Sequence, residues 1–157
     1  MRFINLFTAT LMTFFASQAI AESTIVVTHP AIPAPTFLDL GKTGQSIGDI
    51  RIWHFPAKAD NGGDLMTDWI MTTTGIVENK KIEYRIMNAV FSFGDGTKDQ
   101  ITIQGIGQYS SLKEALDESA VTRRAITGGT GKFANSIGWV ETMHLKDGSW
   151  KHTLYLK

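Results

Sequence analysis

From residue 24 onward, apolar and polar residues alternate with a period of two along most of the chain, the mark of half-buried strands. In 47–55 (IGDIRIWHF), Ile50, Ile52 and His54 share one face, while Arg51, Trp53 and Phe55 share the other. Segment 80–93 (KKIEYRIMNAVFSF) opens with Ile82, Tyr84 and Ile86 set against Glu83 and Arg85. With 24–28, 66–77, 100–109, 120–127, 136–145 and 149–157, the pattern predicts eight strands. Turn signals separate them. Glu78-Asn79 and Gly94-Asp95-Gly96 each fall between two runs, and Asp147-Gly148 predicts a two-residue hairpin with positive φ at both positions. Pro30, Pro33 and Pro35 impose an extended, irregular path after the first strand. One segment departs from the pattern: the Ser111–Glu114 spacing is that of a capping box, predicting a helical turn over 112–118. Eight successive antiparallel strands lose their exposed edges most simply by closing. The expected fold is therefore all-β, an eight-stranded antiparallel barrel, as one domain over 22–157.

The preceding residues read as an address. MRFINLFTATLMTFFASQAIA carries a single charge, Arg2, then an apolar run ending in Ala19-Ile20-Ala21, the small-x-small pattern of a signal peptide cleaved before Glu22. No other run is long and apolar enough to span a bilayer, so the mature chain is expected to be secreted or periplasmic, without stable membrane insertion. Cysteine is absent, which excludes disulfides, thiol nucleophiles and cysteine-ligated zinc. Fifteen Lys and Arg balance fifteen Asp and Glu, so the chain lacks the basic excess of a nucleic-acid binder.

Two nucleotide-like motifs fail on spacing. In Gly128-Gly129-Thr130-Gly131-Lys132-Phe133 a phosphate loop would need Gly at Ile126 and Ser or Thr at Phe133. Gly129-x-Gly131-x-x-Ala134 fits a loose dinucleotide fingerprint, but an alternating strand follows it instead of a helix. A tight, close-packed turn accounts for these glycines. The four histidines show no metal spacing, and no Ser stands in a nucleophile elbow. No metal and no cofactor are expected.

Aromatic residues recur on the predicted strands, among them Trp53, Phe55, Trp69, Tyr84, Trp139 and Trp150. They suit either a barrel filled by side chains or an apolar cavity holding a small ligand. Alternation alone does not say which face points inward. For a hollow barrel the candidate polar residues are Arg51, to bind a ligand carboxylate, and His54 or Glu83, for proton transfer. Trp53 and Phe55, on Arg51's face, are candidate ligand contacts, together with Tyr84 and Trp139.

Segment 125–141 (AITGGTGKFANSIGWVE) resembles the turn of allene oxide cyclase-like and dirigent proteins: a Gly-Gly-x-Gly-x-aromatic turn, a small residue, Gly and a strand. IGDIRIWHFP (47–56), FSFGDGTKDQITIQG (91–105) and TLYLK (153–157) are similar to further pieces of the cyclase side, in the same order. The resemblance spans about 47–157. It implies a lipocalin-like (calycin) barrel with an apolar cavity, often assembled as a homotrimer. The plant cyclases' catalytic set does not carry over. The first strand holds no Glu, Phe55 stands before Pro56 where an Asn is implicated, and the cysteine has no counterpart. The expected function is thus binding of a small apolar or lipid-like molecule. The alternatives are an isomerase or dirigent-like protein that steers ring closure or coupling by conformational control, and a non-catalytic scaffold with a filled barrel.

Overall fold

A computed structural model describes residues 23–110 and 116–157. Its strands are β1 (Ser23–His29), β2 (Thr36–Leu38), β3 (Ile50–Ala59), β4 (Asp64–Val77), β5 (Ile82–Phe93), β6 (Asp99–Ser110), β7 (Val121–Gly129), β8 (Gly138–His144) and β9 (Trp150–Leu156). Every pairing is antiparallel, and the sheet runs β1-β9-β8-β7-β6-β5-β4-β3-β2. β1 also pairs with β3, through Val27–Ala59 and Thr28–Lys58, which closes eight strands into a barrel with β2 lying outside the ring. The predicted signal peptide and most of the predicted 112–118 turn lie outside the described residues.

The burial pattern settles the facing. Arg51, Trp53, Phe55, Ala57 and Ala59 of β3 point inward, as do Leu65, Thr67, Trp69, Met71 and Thr73 of β4. On the outer wall, Ile52 stands opposite Ile70 and Ile86 opposite Ile106, all four exposed. Pro56 is accommodated because it falls between β3's pairings with β2 and with β1, where a neighbour lies on one side only.

Two connections differ in detail from expectation. The Glu78-Asn79 turn is a short 3-10 turn, Glu78–Lys80, that leaves through Lys81 at φ 51°. The Asp147-Gly148 hairpin has positive φ at Gly148 only. Gly148 N donates to Leu145 O at 3.0 Å and Leu145 N to Ser149 O at 2.8 Å, so the loop is longer than two residues. Asp147 gains more by accepting from Ser149 N and Oγ than by adopting a left-handed backbone.

The GGTGKF turn closes one end of the barrel. Thr130 N donates to Gln100 O at 2.8 Å and Lys132 N to Asp99 Oδ1 at 3.1 Å, which lays the turn against the start of β6. A Cβ on Gly129 would sit 2.5 Å from Phe133 O and 2.6 Å from Gln100 O, so only glycine fits. The turn delivers Phe133 onto Phe93, with ring centroids 4.7 Å apart. Leu65, Ile101 and Leu156 are buried at the same end of their strands. This end is a packed apolar plug.

Candidate functional site

The opposite half of the barrel holds the polar chemistry. A narrow pocket there is walled by strand residues, notably Trp53, Phe55, Trp69, Trp150, Tyr109 and Arg124, with His29, Thr142 and His152 on one side. Ile32 and Leu116, from loops, cover it. Its free space is about 30 Å³, room for roughly two waters.

His29 and His152 meet in this wall, with their Nε2 atoms 2.9 Å apart. The donor order follows from the fixed partners. His29 Nδ1 lies 2.8 Å from Pro30 O, which only accepts, so Nδ1 carries the proton. The neutral ring then accepts at Nε2 from His152 Nε2–H. His152 Nδ1 in turn accepts from the Thr142 hydroxyl at 2.9 Å. Burial holds His152 well below the usual histidine range, helped by the nearby His29 and Arg124. Burial also lowers His29, against the opposing pull of the Pro30 carbonyl. Protons therefore bind the unfolded chain more readily than the folded one below the ordinary value of 6.5. Stability is expected to be full above that pH and to fall as pH drops through the lowered folded values. The slope reaches up to about 1.4 kcal/mol per pH unit for each ring. Urea midpoints measured from pH 8 to 5 should fall in the wild type and fall less in H29Q/H152Q. A flat wild-type profile would contradict the neutral pair.

Beside the pocket, Glu83 carries two guanidinium groups. It accepts from Arg85 Nη2 at 2.8 Å, from Arg51 Nη1 at 3.4 Å and from the Thr73 hydroxyl, and all four side chains are buried. Burial alone would raise the Glu83 carboxyl. The Arg85 and Thr73 hydrogen bonds and the charges of Arg85 and Arg51 outweigh it and hold the group below its ordinary value. Arg85 also lies over the Tyr109 ring, 4.4 Å from its centroid, tying this cluster to the pocket wall.

Of the residues nominated from sequence, Arg51, Glu83, Trp53 and Phe55 come together inside the barrel. His54, Tyr84 and Trp139 do not join them. His54 is on the outer wall, bonded to Asp68 at 2.6 Å, because it alternates with the inward Trp53 and Phe55. Tyr84 alternates with Glu83 and Arg85 and faces outward, and Trp139 stacks on Tyr155 outside. Four inward basic residues were not nominated: Arg85, Arg124, His29 and His152. Each shares a face with an apolar neighbour two residues away, Met87, Ile126, Val27 and Leu154 respectively, and that is the signal that marks them. Among the described residues no three His, Asp or Glu side chains gather as metal ligands.

No family model matches the chain, and no curated relative does. Solved structures do. The barrel is similar to pyocyanin demethylase, with 20% identity and a TM-score of 0.64 over 87% of this chain and all of that one. It is also similar to the pterocarpan synthase dirigent protein GePTS1, with 14% identity and a TM-score of 0.59 over 96% of each chain. A second pterocarpan synthase dirigent protein, PsPTS1, gives 16% and 0.57 over 87% of this chain and 95% of that one. At these identities the likeness is one of fold: the chain has the same antiparallel barrel fold as these proteins.

Proposed function

We propose that this protein is a secreted or periplasmic barrel that binds a small apolar molecule in the pocket between Trp53, Trp69 and Trp150. The observation that carries this reading is the distribution of packing within one barrel. One end is plugged by Phe93 and Phe133, while the other keeps an aromatic-walled slot covered, among the described residues, by the loop residues Ile32 and Leu116. Aromatic walls with a few polar groups are the usual make-up of a small-molecule site. The free space is small, so a ring-sized ligand enters by moving Ile32 or Leu116. Solved relatives of the fold bear names for work on pyocyanin and pterocarpans, which supports a small-molecule role.

The test is mass spectrometry of the protein from its own host, native and then denatured, with tryptophan fluorescence on added ligands. A small molecule released on denaturation, or quenching by a flat neutral probe such as 2-naphthamide, is expected. A denatured mass starting at Glu22 and a trimeric native mass would fit the same proposal, the exposed Ile52, Ile70, Ile86 and Ile106 being the apolar wall available for assembly. An empty protein that ignores aromatic and fatty-acid panels would leave the filled scaffold as the better reading.

A second reading, that the bound molecule is also isomerised without a cofactor, is favoured by the His29–His152–Thr142 chain in the pocket wall. Neutral imidazole beside a ligand is suited to moving a proton. Deuterium taken from solvent into the recovered ligand, and lost in H152Q, would support it. A ligand that stays unlabelled would leave binding alone.

A further inference from the structure

Arg124 stands apart from the other inward arginines. Arg51 and Arg85 share the Glu83 carboxylate, whereas among the described residues no carboxylate pairs with Arg124, although its residue exposure is 3%. Its Nη1 donates to the Thr122 hydroxyl and its Nη2 to the Tyr109 hydroxyl at 2.9 Å. Among the described residues its Nε–H has no hydrogen-bond partner, nor has the indole N–H of Trp69, and both residues line the pocket. A buried guanidinium without a counter-ion is costly, because neutral hydroxyls replace only part of the lost hydration.

The chain makes room for this charge. Gly105 and Gly107 occupy successive inward positions of β6, where Ile101, Ile103 and Tyr109 otherwise fill the row. A Cβ on Gly105 would lie 2.8 Å from Arg124 Cγ, and one on Gly107 2.8 Å from Arg124 Nη2. The β6–β7 ladder also stops at Gln104–Ala125, so the Arg124 side chain runs along the point where the two strands part. A notch cut from two glycines, an uncompensated buried cation and two unused donors in one apolar slot make up a built site.

We propose that this site takes an anionic oxygen group, a carboxylate or phenolate, borne on an apolar ring body. The ring lies among Trp53, Trp69 and Trp150, and the oxygen anion supplies Arg124's missing counter-charge. This rests on the binding reading above and adds the ligand's charge to it. Charge-assisted hydrogen bonds from a guanidinium are stronger than neutral ones, and more so in an apolar pocket.

The test compares two probes of the same shape at pH 8, 2-naphthoate and 2-naphthamide, followed by tryptophan fluorescence. Wild type is expected to bind the carboxylate at least about tenfold more tightly than the amide. R124M should lose that preference while keeping its affinity for the amide. R123Q, which alters the exposed Arg123–Glu141 pair on the outer wall, should keep it. R124M should also melt within about 3 °C of wild type, because it removes a buried charge that has no partner. Should R124M fail to fold, the wild-type ratio of the two probes still decides. Equal affinities would overturn the anion site and leave the apolar pocket standing. Binding of neither probe would overturn both.

Discussion

Glu83→Gln is expected to cost about 3–5 kcal/mol of stability, the range for breaking a buried ion pair by removing one partner. The amide keeps the shape and most hydrogen bonds but withdraws the carboxylate charge that Arg51 and Arg85, both wholly buried, share among the described residues. Two buried guanidinium groups then lose the carboxylate that they share. At roughly 2–4 °C per kcal/mol for a domain of this size, the melting temperature should drop by about 10 °C. Exposed pairs such as Lys58–Asp64 are the control, because solvent screening limits them to at most about 1 kcal/mol. Replacing Arg51, Glu83 and Arg85 together by Met, Leu and Met should recover much of the loss. A Glu83→Gln variant melting within about 2 °C of wild type would show that the cluster is not held by charge. The low Glu83 pKa sets the sign of the acid limb. Its contribution is present above the ordinary carboxyl value of 4.5 and is lost as pH falls through the folded value.

Gly138→Ala is expected to cost at least about 3 kcal/mol. Gly138 opens β8 at φ 146° and pairs with Leu156 on one side and Ile126 on the other. A Cβ built there overlaps the Tyr155 carbonyl oxygen, with Leu156 Cα close behind. Both are main-chain atoms of β9, so relief requires the strands to move apart rather than a side chain to rotate. Gly62→Ala separates the two sources of cost: its φ is 79°, but no atom lies within 4 Å of the added carbon. Left-handed strain alone should cost about 1–2 kcal/mol there. Equal urea midpoints for the two variants would show that β8 and β9 do not depend on the missing side chain for their spacing.

Strands were legible in the sequence wherever both faces had a fixed environment. In IRIWHF and KKIEYRIM one face meets the interior and the other meets solvent, and the alternation records it directly. β2 was not legible because its three residues are all exposed, follow a proline-rich run and, among the described residues, pair with β3's edge alone. Which face pointed inward was not legible from one strand, since an apolar Ile50-Ile52 row outside looks like a core row. Burial shows that the face carrying Arg51 is the inner one, because Glu83 and Thr73 on neighbouring strands receive the charge. The same ambiguity hid Arg124. Arg123 and Arg124 are adjacent, and only their pairing to Glu141 outside and Tyr109 inside tells them apart. The glycines of GGTGKF were correctly read as a close turn, whereas the two in QGIGQY drew no notice, because their neighbour comes from another strand.

The ring closes on β3, and that edge is shared. β1 holds its far end through two residue pairs, β2 holds its near end through three, and the Trp53 indole reaches across to the Pro33 carbonyl at 3.0 Å. The three-residue β2 therefore acts as a guard on an adhesive edge. Were it detached, for instance by a backbone cut within the exposed 39–45 loop, the N–H and C=O groups of Ile50–Ile52 would be released toward solvent as a template for a strand from another molecule. Proteolysis in that loop would then be felt first as self-association by strand exchange, before any loss of the barrel itself.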